Sequence, residues 1–205
     1  MYELTDKTIQ RINERISRKF AVIRRKLASF DEINVLRYAR EAYRELYQEF
    51  EEMLLVLAEE TYSRFNSSRL NSEMSNRIDR EWILSKLDSI DPAVKYRFSS
   101  EIERMAERLA EMVESTETPT KKDFDTEMKK LSLVVGQEAI FITDEAVIQA
   151  YKDNGVKKVR WMTVHDEKRC GYCWSLNGRI FPIDEVPDKP HRNCRCWVVA
   201  VKEKV

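Results

Sequence analysis

All four cysteines of this chain lie in its last 36 residues: Cys170, Cys173, Cys194 and Cys196, with His191 between the two pairs. The first pair reads Cys170-Gly171-Tyr172-Cys173. In a C-x-x-C turn both thiolates can face one ion, and a glycine lets the backbone close around them, the usual half-site of a structural zinc. Cys194 and Cys196 are two residues apart, so on an extended strand they point to the same side. His191 precedes them in a turn shaped by Pro187 and Pro190. Five candidate ligands therefore compete for four tetrahedral positions. The expected set is the four thiolates, with His191 replacing one of them or donating to one from behind. Arg169, Arg192 and Arg195 would offset the negative charge. Ordinary buried cysteines, or disulfides formed on oxidation, are the competing reading. A structural ion is preferred over a catalytic one, because five candidates leave no need for a water-filled position. No catalytic residue is expected. Asp166, beside His165 and ahead of the first pair, is read as accepting hydrogen bonds from the backbone of the cysteine turn, in preference to acting as a base or ligand.

A second cluster with chemical potential is basic. Lys7, Arg11, Arg15, Arg18, Lys19, Arg24, Arg25 and Lys26 crowd the first helical segment, and Arg11, Arg15, Arg18 and Lys19 are the candidate contacts to double-stranded DNA. The following segment is acidic, with Glu41, Glu45, Glu49, Glu51 and Glu52. Pairing or solvation of the two faces is the preferred reading. A DNA-binding zinc protein is thus the alternative function. A metal-dependent nuclease of the HNH type is weaker, since it needs a catalytic histidine beside an open metal, and only His165 and His191 exist.

The elements that position these residues follow from composition and periodicity. Lys+Arg and Asp+Glu both total 36, so net charge is zero and a globally basic nucleic-acid binder is not indicated. Only four glycines occur, none before Gly136, and 35% of residues are charged, a balance suited to long helices. No apolar run reaches bilayer length and the start lacks a signal-peptide pattern, so a protein made in a reducing cytoplasm is expected. Ile9, Ile12, Ile16, Phe20, Ile23 and Leu27 form one helical stripe. A second helix runs from an Asp31 cap with Leu46, Phe50, Leu54 and Leu57 inward. A short helix spans about 81–87, and Asp91-Pro92 opens another carrying Phe98, Ile102, Met105 and Leu109. Residues 115–122 read as a hinge. Asp123 to Leu133 is expected to be helical, with Gly136 breaking or kinking it, and Thr143 to Asp153 forms a further helix stopped by Asn154-Gly155. Beyond Gly155, Val156–Val164, Arg179–Phe181 and Trp197–Val201 alternate like strands. Trp161, Trp174 and Trp197 are expected in the core of this small module, which at about 50 residues needs a staple. The expected fold is α+β: a mainly helical, elongated N-terminal region (1–118), a helical connector (119–154) and a small zinc-stapled β-containing module (155–205).

At the cysteines the sequence resembles a known family. Trp161-Met162-Thr163, Asp166, Cys170, Cys173, Leu176-Asn177-Gly178, Phe181 and Pro190-His191-Arg192-Asn193-Cys194-Arg195-Cys196 are similar to the motifs of Mu F-like minor head proteins, head morphogenesis proteins of tailed bacteriophages. The resemblance covers about residues 155–201. Arg192 stands where the family usually has a second proline. Ile142-Thr143-Asp144-Glu145 keeps the threonine of a family Arg-Thr-Glu stretch but lacks its arginine. The resemblance implies a minor structural protein of the phage head, in few copies, partnered by the portal protein, a major capsid or scaffold protein and, in one version, double-stranded DNA. It implies location in the virion, at the capsid interior or portal vertex, with the host cytoplasm as the place of assembly, and roles in assembly, DNA packaging or ejection. The effector domains of some longer relatives are not expected here, since the chain ends nine residues past Cys196.

Overall fold

A computed structural model describes residues 2–27, 32–66, 78–89, 98–115, 120–164, 170–191 and 194–201. Among the described residues, five helices precede a three-stranded sheet: α1 (Glu3–Leu27), α2 (Glu32–Phe65), α3 (Arg80–Asp88), α4 (Phe98–Glu114) and α5 (Lys121–Asp153). β1 (Lys158–Met162), the short α6 (Gly171–Leu176), β2 (Ile180–Pro182), a 3-10 turn at Ile183–Glu185 and β3 (Trp197–Ala200) complete it. The mainly helical region and the small C-terminal sheet agree with the α+β expectation.

Periodic apolar residues build the helical core. Ile12 and Ile16 of α1 meet Leu46, Phe50, Leu54 and Leu57 of α2, and α3 contributes Ile83 and Leu87. Phe98 of α4 stacks at a tilt on Phe50, with ring centroids 4.6 Å apart. Asp79 caps α3, its carboxylate accepting from the Trp82 amide at 2.8 Å. The expected Asp31 and Asp91-Pro92 starts lie outside the described residues, as do residues 116–119 of the expected hinge.

The main departure from expectation is α5. Lys121–Asp153 is one helix of 33 residues that passes through Gly136 without a break. Every residue from Val134 to Ile140 is buried. The helix lies against α1, α2, α3 and α4 at once. Over that stretch no 3.6-residue stripe shows, and the β-branched Val134, Val135, Ile140, Ile142 and Thr143 do not favour a helix by propensity. Packing on all sides outweighs the roughly 1 kcal/mol that an interior glycine costs. Its ends are specified locally. Thr120 and Asp123 form a reciprocal capping box at the start. At the finish, Gly155 takes φ 74° while its amide reaches Lys152 O and the Val156 amide reaches Tyr151 O, which closes a Schellman stop.

The sheet order is β2-β1-β3, all antiparallel. Val159 pairs with Phe181 and Ala200, and Trp161 with Val198. Alternation along β1 sends Val159 and Trp161 inward. They join Cys173, Leu176, Ile183, Cys194, Cys196 and Val198 in a second core, against which Ile148 and Tyr151 of α5 pack. Trp174 is a correction to the sequence reading: it is about half exposed, at 48%. On a six-residue helix the inward positions are taken by Cys173 and Leu176, and Trp174 falls between them on the outer side.

Candidate metal centre

Cys170 occupies the N-cap of α6. Its sulfur accepts from the Cys173 amide at 3.3 Å, and the Trp174 amide donates to its carbonyl at 3.1 Å. The C-x-x-C spacing therefore lies across the first turn of a helix, and that amide holds the Cys170 thiol below its usual range. Cys173 points inward, 1% exposed. Its Sγ is 3.5 Å from Cys194 Sγ and 3.5 Å from His191 Nε2. Cys194 and Cys196 leave the segment just before β3 and are both buried. Ligand atoms gather in two triads that share Cys173: one with Cys170 and His191, the other with Cys194 and Cys196. All five predicted ligands are thus brought together, with Cys173 at the junction.

The donor set fits zinc. Bonds of about 2.3 Å in a tetrahedron place sulfurs about 3.7 Å apart, close to the 3.5 Å between Cys173 and Cys194. The same separation is well beyond a disulfide bond, and all four cysteines are free. Burial, with the neighbouring thiols, pushes the Cys173 thiol far up, and burial pushes Cys194 up. Thiols so placed hold their protons unless a cation binds, and a divalent ion would take them as thiolates. The cluster could hold a metal such as zinc through four of these five residues.

Around the sulfurs the hydrogen bonds are dense. Thr163, 1% exposed, donates from Oγ1 to the Cys173 carbonyl at 2.8 Å and accepts from Cys196 Sγ at 3.8 Å. Its own amide donates to Asn177 Oδ1 at 3.0 Å. Sequence reasoning missed a second layer. The Tyr2 hydroxyl lies 2.8 Å from both the Cys196 carbonyl oxygen and Asp144 Oδ1, sharing its proton between them. Lys189 Nζ donates to that hydroxyl at 2.6 Å and to the Cys194 carbonyl at 3.0 Å, and also pairs with Asp144. Burial raises the Tyr2 phenol, and the Asp144 charge raises it further. Burial likewise pushes Asp144 up, while Lys189 opposes it. Thr143 is buried, within 2.9 Å of Thr5 Oγ1 and donating to Ala139 O. Arg195, adjacent in sequence to two of the cysteines, donates to Asp6 at 2.8 Å and lies over the Tyr2 ring. His165, Asp166, Arg169 and Arg192 lie outside the described residues.

These tryptophan, threonine, cysteine and glycine positions, on and around one small sheet, carry the resemblance noted in the sequence. Comparison with protein families returns a match over residues 99–199 to the family described as phage Mu protein F like protein. Residues 99–199 are a phage Mu protein F-like domain. Comparison with curated proteins and with solved structures gives no match. The Mu F-like domain begins within α4 and ends within β3, so it is wider than the motif-bearing stretch of 155–201. It takes in all of α5, the helix that joins the two cores, as well as the thiol cluster.

The basic face of α1 lies apart from this centre. Arg15 pairs with Glu49 at 2.8 Å and Lys19 with Glu45, both across to α2, while Arg18 lies 3.7 Å from Glu14. Pairing of the two charged faces, the preferred reading of the sequence, is observed for Arg15 and Lys19.

Proposed function

We propose that this chain is a minor structural protein of a tailed-phage head, acting in head morphogenesis without enzymatic activity. The observation that carries the reading is the Mu F-like domain at 99–199, whose cysteine ending converges on one thiol cluster. In this proposal Cys170, Cys173, His191, Cys194 and Cys196 supply the ligands of a structural zinc, with Asp166 supporting the cysteine turn. The ion fastens a module too small to be held by its own apolar core. The chain divides as 1–118, 119–154 and 155–205, with the middle part as the strut between body and module. Portal protein and a major capsid or scaffold protein are the proposed partners, with the capsid interior or portal vertex as location and the host cytoplasm as the place of assembly. Among the described residues no helix is long and apolar enough to cross a membrane. His191 is drawn into the thiol cluster at 3.5 Å from Cys173, which speaks against its serving as the base of an HNH-type nuclease. Mass spectrometry of proheads and virions tests the role. The protein is expected in one or both at low copy, and absence from both contradicts it.

DNA enters the proposal through Arg11, Arg15, Arg18 and Lys19, on the exposed side of α1. Contact there competes with Glu45 and Glu49 for Lys19 and Arg15. Retention of double-stranded DNA that falls steeply with salt, and is lost on reversing Arg11, Arg15 and Arg18 to glutamate, supports contact. Salt-insensitive or absent retention removes DNA from the list of partners.

A further inference from the structure

Alternation along the three strands gives the small sheet two faces. One sends Val159, Trp161 and Val198 into the second core, where Ile148 and Tyr151 of α5 pack against them. The register sets the other face: Arg160 lies between Ile180 and Val199, Lys158 beside Pro182, and Met162 beside Trp197. An antiparallel sheet open to water on one side usually turns polar residues outward. Here two cations stand among apolar side chains instead. Ile180 is 47% exposed, and Lys158, Arg160 and Pro182 are exposed beside it. Met162, Ile180, Trp197 and Val199 belong to neither core. Among the described residues, neither Lys158 nor Arg160 has an ion-pair partner.

The same chain carries a face of opposite charge. On α2, Glu52, Val56, Glu59 and Glu60 follow at i, i+4, i+7 and i+8, along one side of the helix. All four are exposed, Val56 at 51%. Arg11 and Arg15 border Glu52 in one groove, so Glu59 and Glu60, without ion-pair partners among the described residues, carry the charge of this face. The dimensions also agree. Three strands set their outer members about 10 Å apart, and a helix is about 10–12 Å across. The five residues of β1 extend about 16 Å, and residues 52–60 of α2 about 13 Å. Both faces are exposed, so they do not meet within one chain. Two sheet faces brought together would set Lys158 and Arg160 of one copy against those of the other. Duplex DNA would answer the cations but press phosphates on Ile180, Pro182 and Val199. A helix face with a valine among carboxylates answers both. We propose that the outer face of the sheet docks the acidic face of α2 of a second copy of this chain. The contact is heterologous: each copy keeps one free face of each kind, so association continues into a ring or an open chain.

Sedimentation velocity of the full chain, metal retained, tests this from about 10 μM to 1 mM, the range suited to a contact below standard interface size. The wild type is expected to associate with rising concentration, and less so as salt is raised. Lys158→Glu with Arg160→Glu reverses one face, and Glu59→Lys with Glu60→Lys reverses the other. Each double variant alone is expected to associate about tenfold more weakly or not at all, since both of its faces then carry the same sign. An equimolar mixture of the two is expected to recover association, because each supplies the face that the other has lost. Wild type that stays monomeric over the whole range overturns the proposal. Association indifferent to either reversal, or not recovered in the mixture, overturns it as well. So does duplex DNA bound through Lys158 and Arg160 by a chain that does not self-associate. Should a reversed variant fail to fold, Val56→Ser and Ile180→Ser, which leave every charge in place, are each expected to weaken wild-type association, and unchanged association in both contradicts the contact.

Discussion

The Tyr2 hydroxyl lies 2.8 Å from the carbonyl oxygen of Cys196, which ties the residue just before α1 to the last cysteine of the cluster across 194 residues of sequence. Lys189 and Asp144 complete the contact, so α1, α5 and the cysteine segment meet at one buried polar point. Tightness of the helical body and order of the thiol cluster are therefore coupled.

That coupling predicts the effect of Tyr2→Phe. Loss of the hydroxyl leaves the Cys196 carbonyl and Lys189 each short of a partner, at a cost of about 1–3 kcal/mol. Metal held by the cluster is expected to weaken by about 10–100-fold, as when other supports of ligating residues are removed. Urea denaturation and chelator competition measure the two effects. A variant unchanged in both would show that α1 and the cluster are energetically separate.

Thr163 makes a more local prediction. Its hydroxyl bridges the Cys173 carbonyl and Cys196 Sγ from a fully buried position. Thr163→Val keeps the shape and removes the bridge, for an expected loss of about 1–3 kcal/mol. Thr163→Ser restores the hydroxyl and is expected to recover more than half of that loss. Thermal unfolding of the three proteins is the check, and equal midpoints for valine and threonine would contradict the bridge.

Acid stability offers a third test, in the helical body. Burial by itself would raise the Glu127 carboxyl, but hydrogen bonds and charge from Arg108 and Lys130 outweigh it and hold the group below its usual range. A depressed carboxylate contributes stability that is present above its unfolded value, about 4.3, and is lost as pH falls through the lower folded value. Glu127→Gln is thus expected to flatten the decline of stability below about pH 4.3 and to lower stability at neutral pH. Urea titrations between about pH 3 and 7 read both. An unchanged acid limb would show that Arg108 is not held by this carboxylate.

Features encoded within a few residues were legible in the sequence. The C-x-x-C spacing at Cys170 and Cys173, the Cys194/Cys196 pair, the Asn154-Gly155 stop and the alternation through Val159 and Trp161 all depend on near neighbours, and all appear in the structure. The pairing of Arg15 with Glu49 and of Lys19 with Glu45 was also accessible, because two adjacent helices of opposite charge leave few alternatives. Continuity of α5 was not, since its middle, Val134 to Ile140, is buried throughout and has no polar face to mark its period. The Tyr2–Asp144–Lys189 contact was equally hidden. Its members sit in three distant segments, and each alone reads as an ordinary polar residue. Trp174 was misplaced for a smaller reason: a helix of six residues has room for few inward positions, and Cys173 and Leu176 fill them.

The central claim is that the thiol cluster is a structural metal site, and the metal content of the purified chain tests it most directly. Elemental analysis is expected to find about one zinc per chain, with the metal lost together with the cooperative unfolding of the C-terminal module in Cys194→Ser, Cys196→Ser or His191→Ala. Wild-type protein without stoichiometric zinc, and variants that fold as it does, would contradict the account.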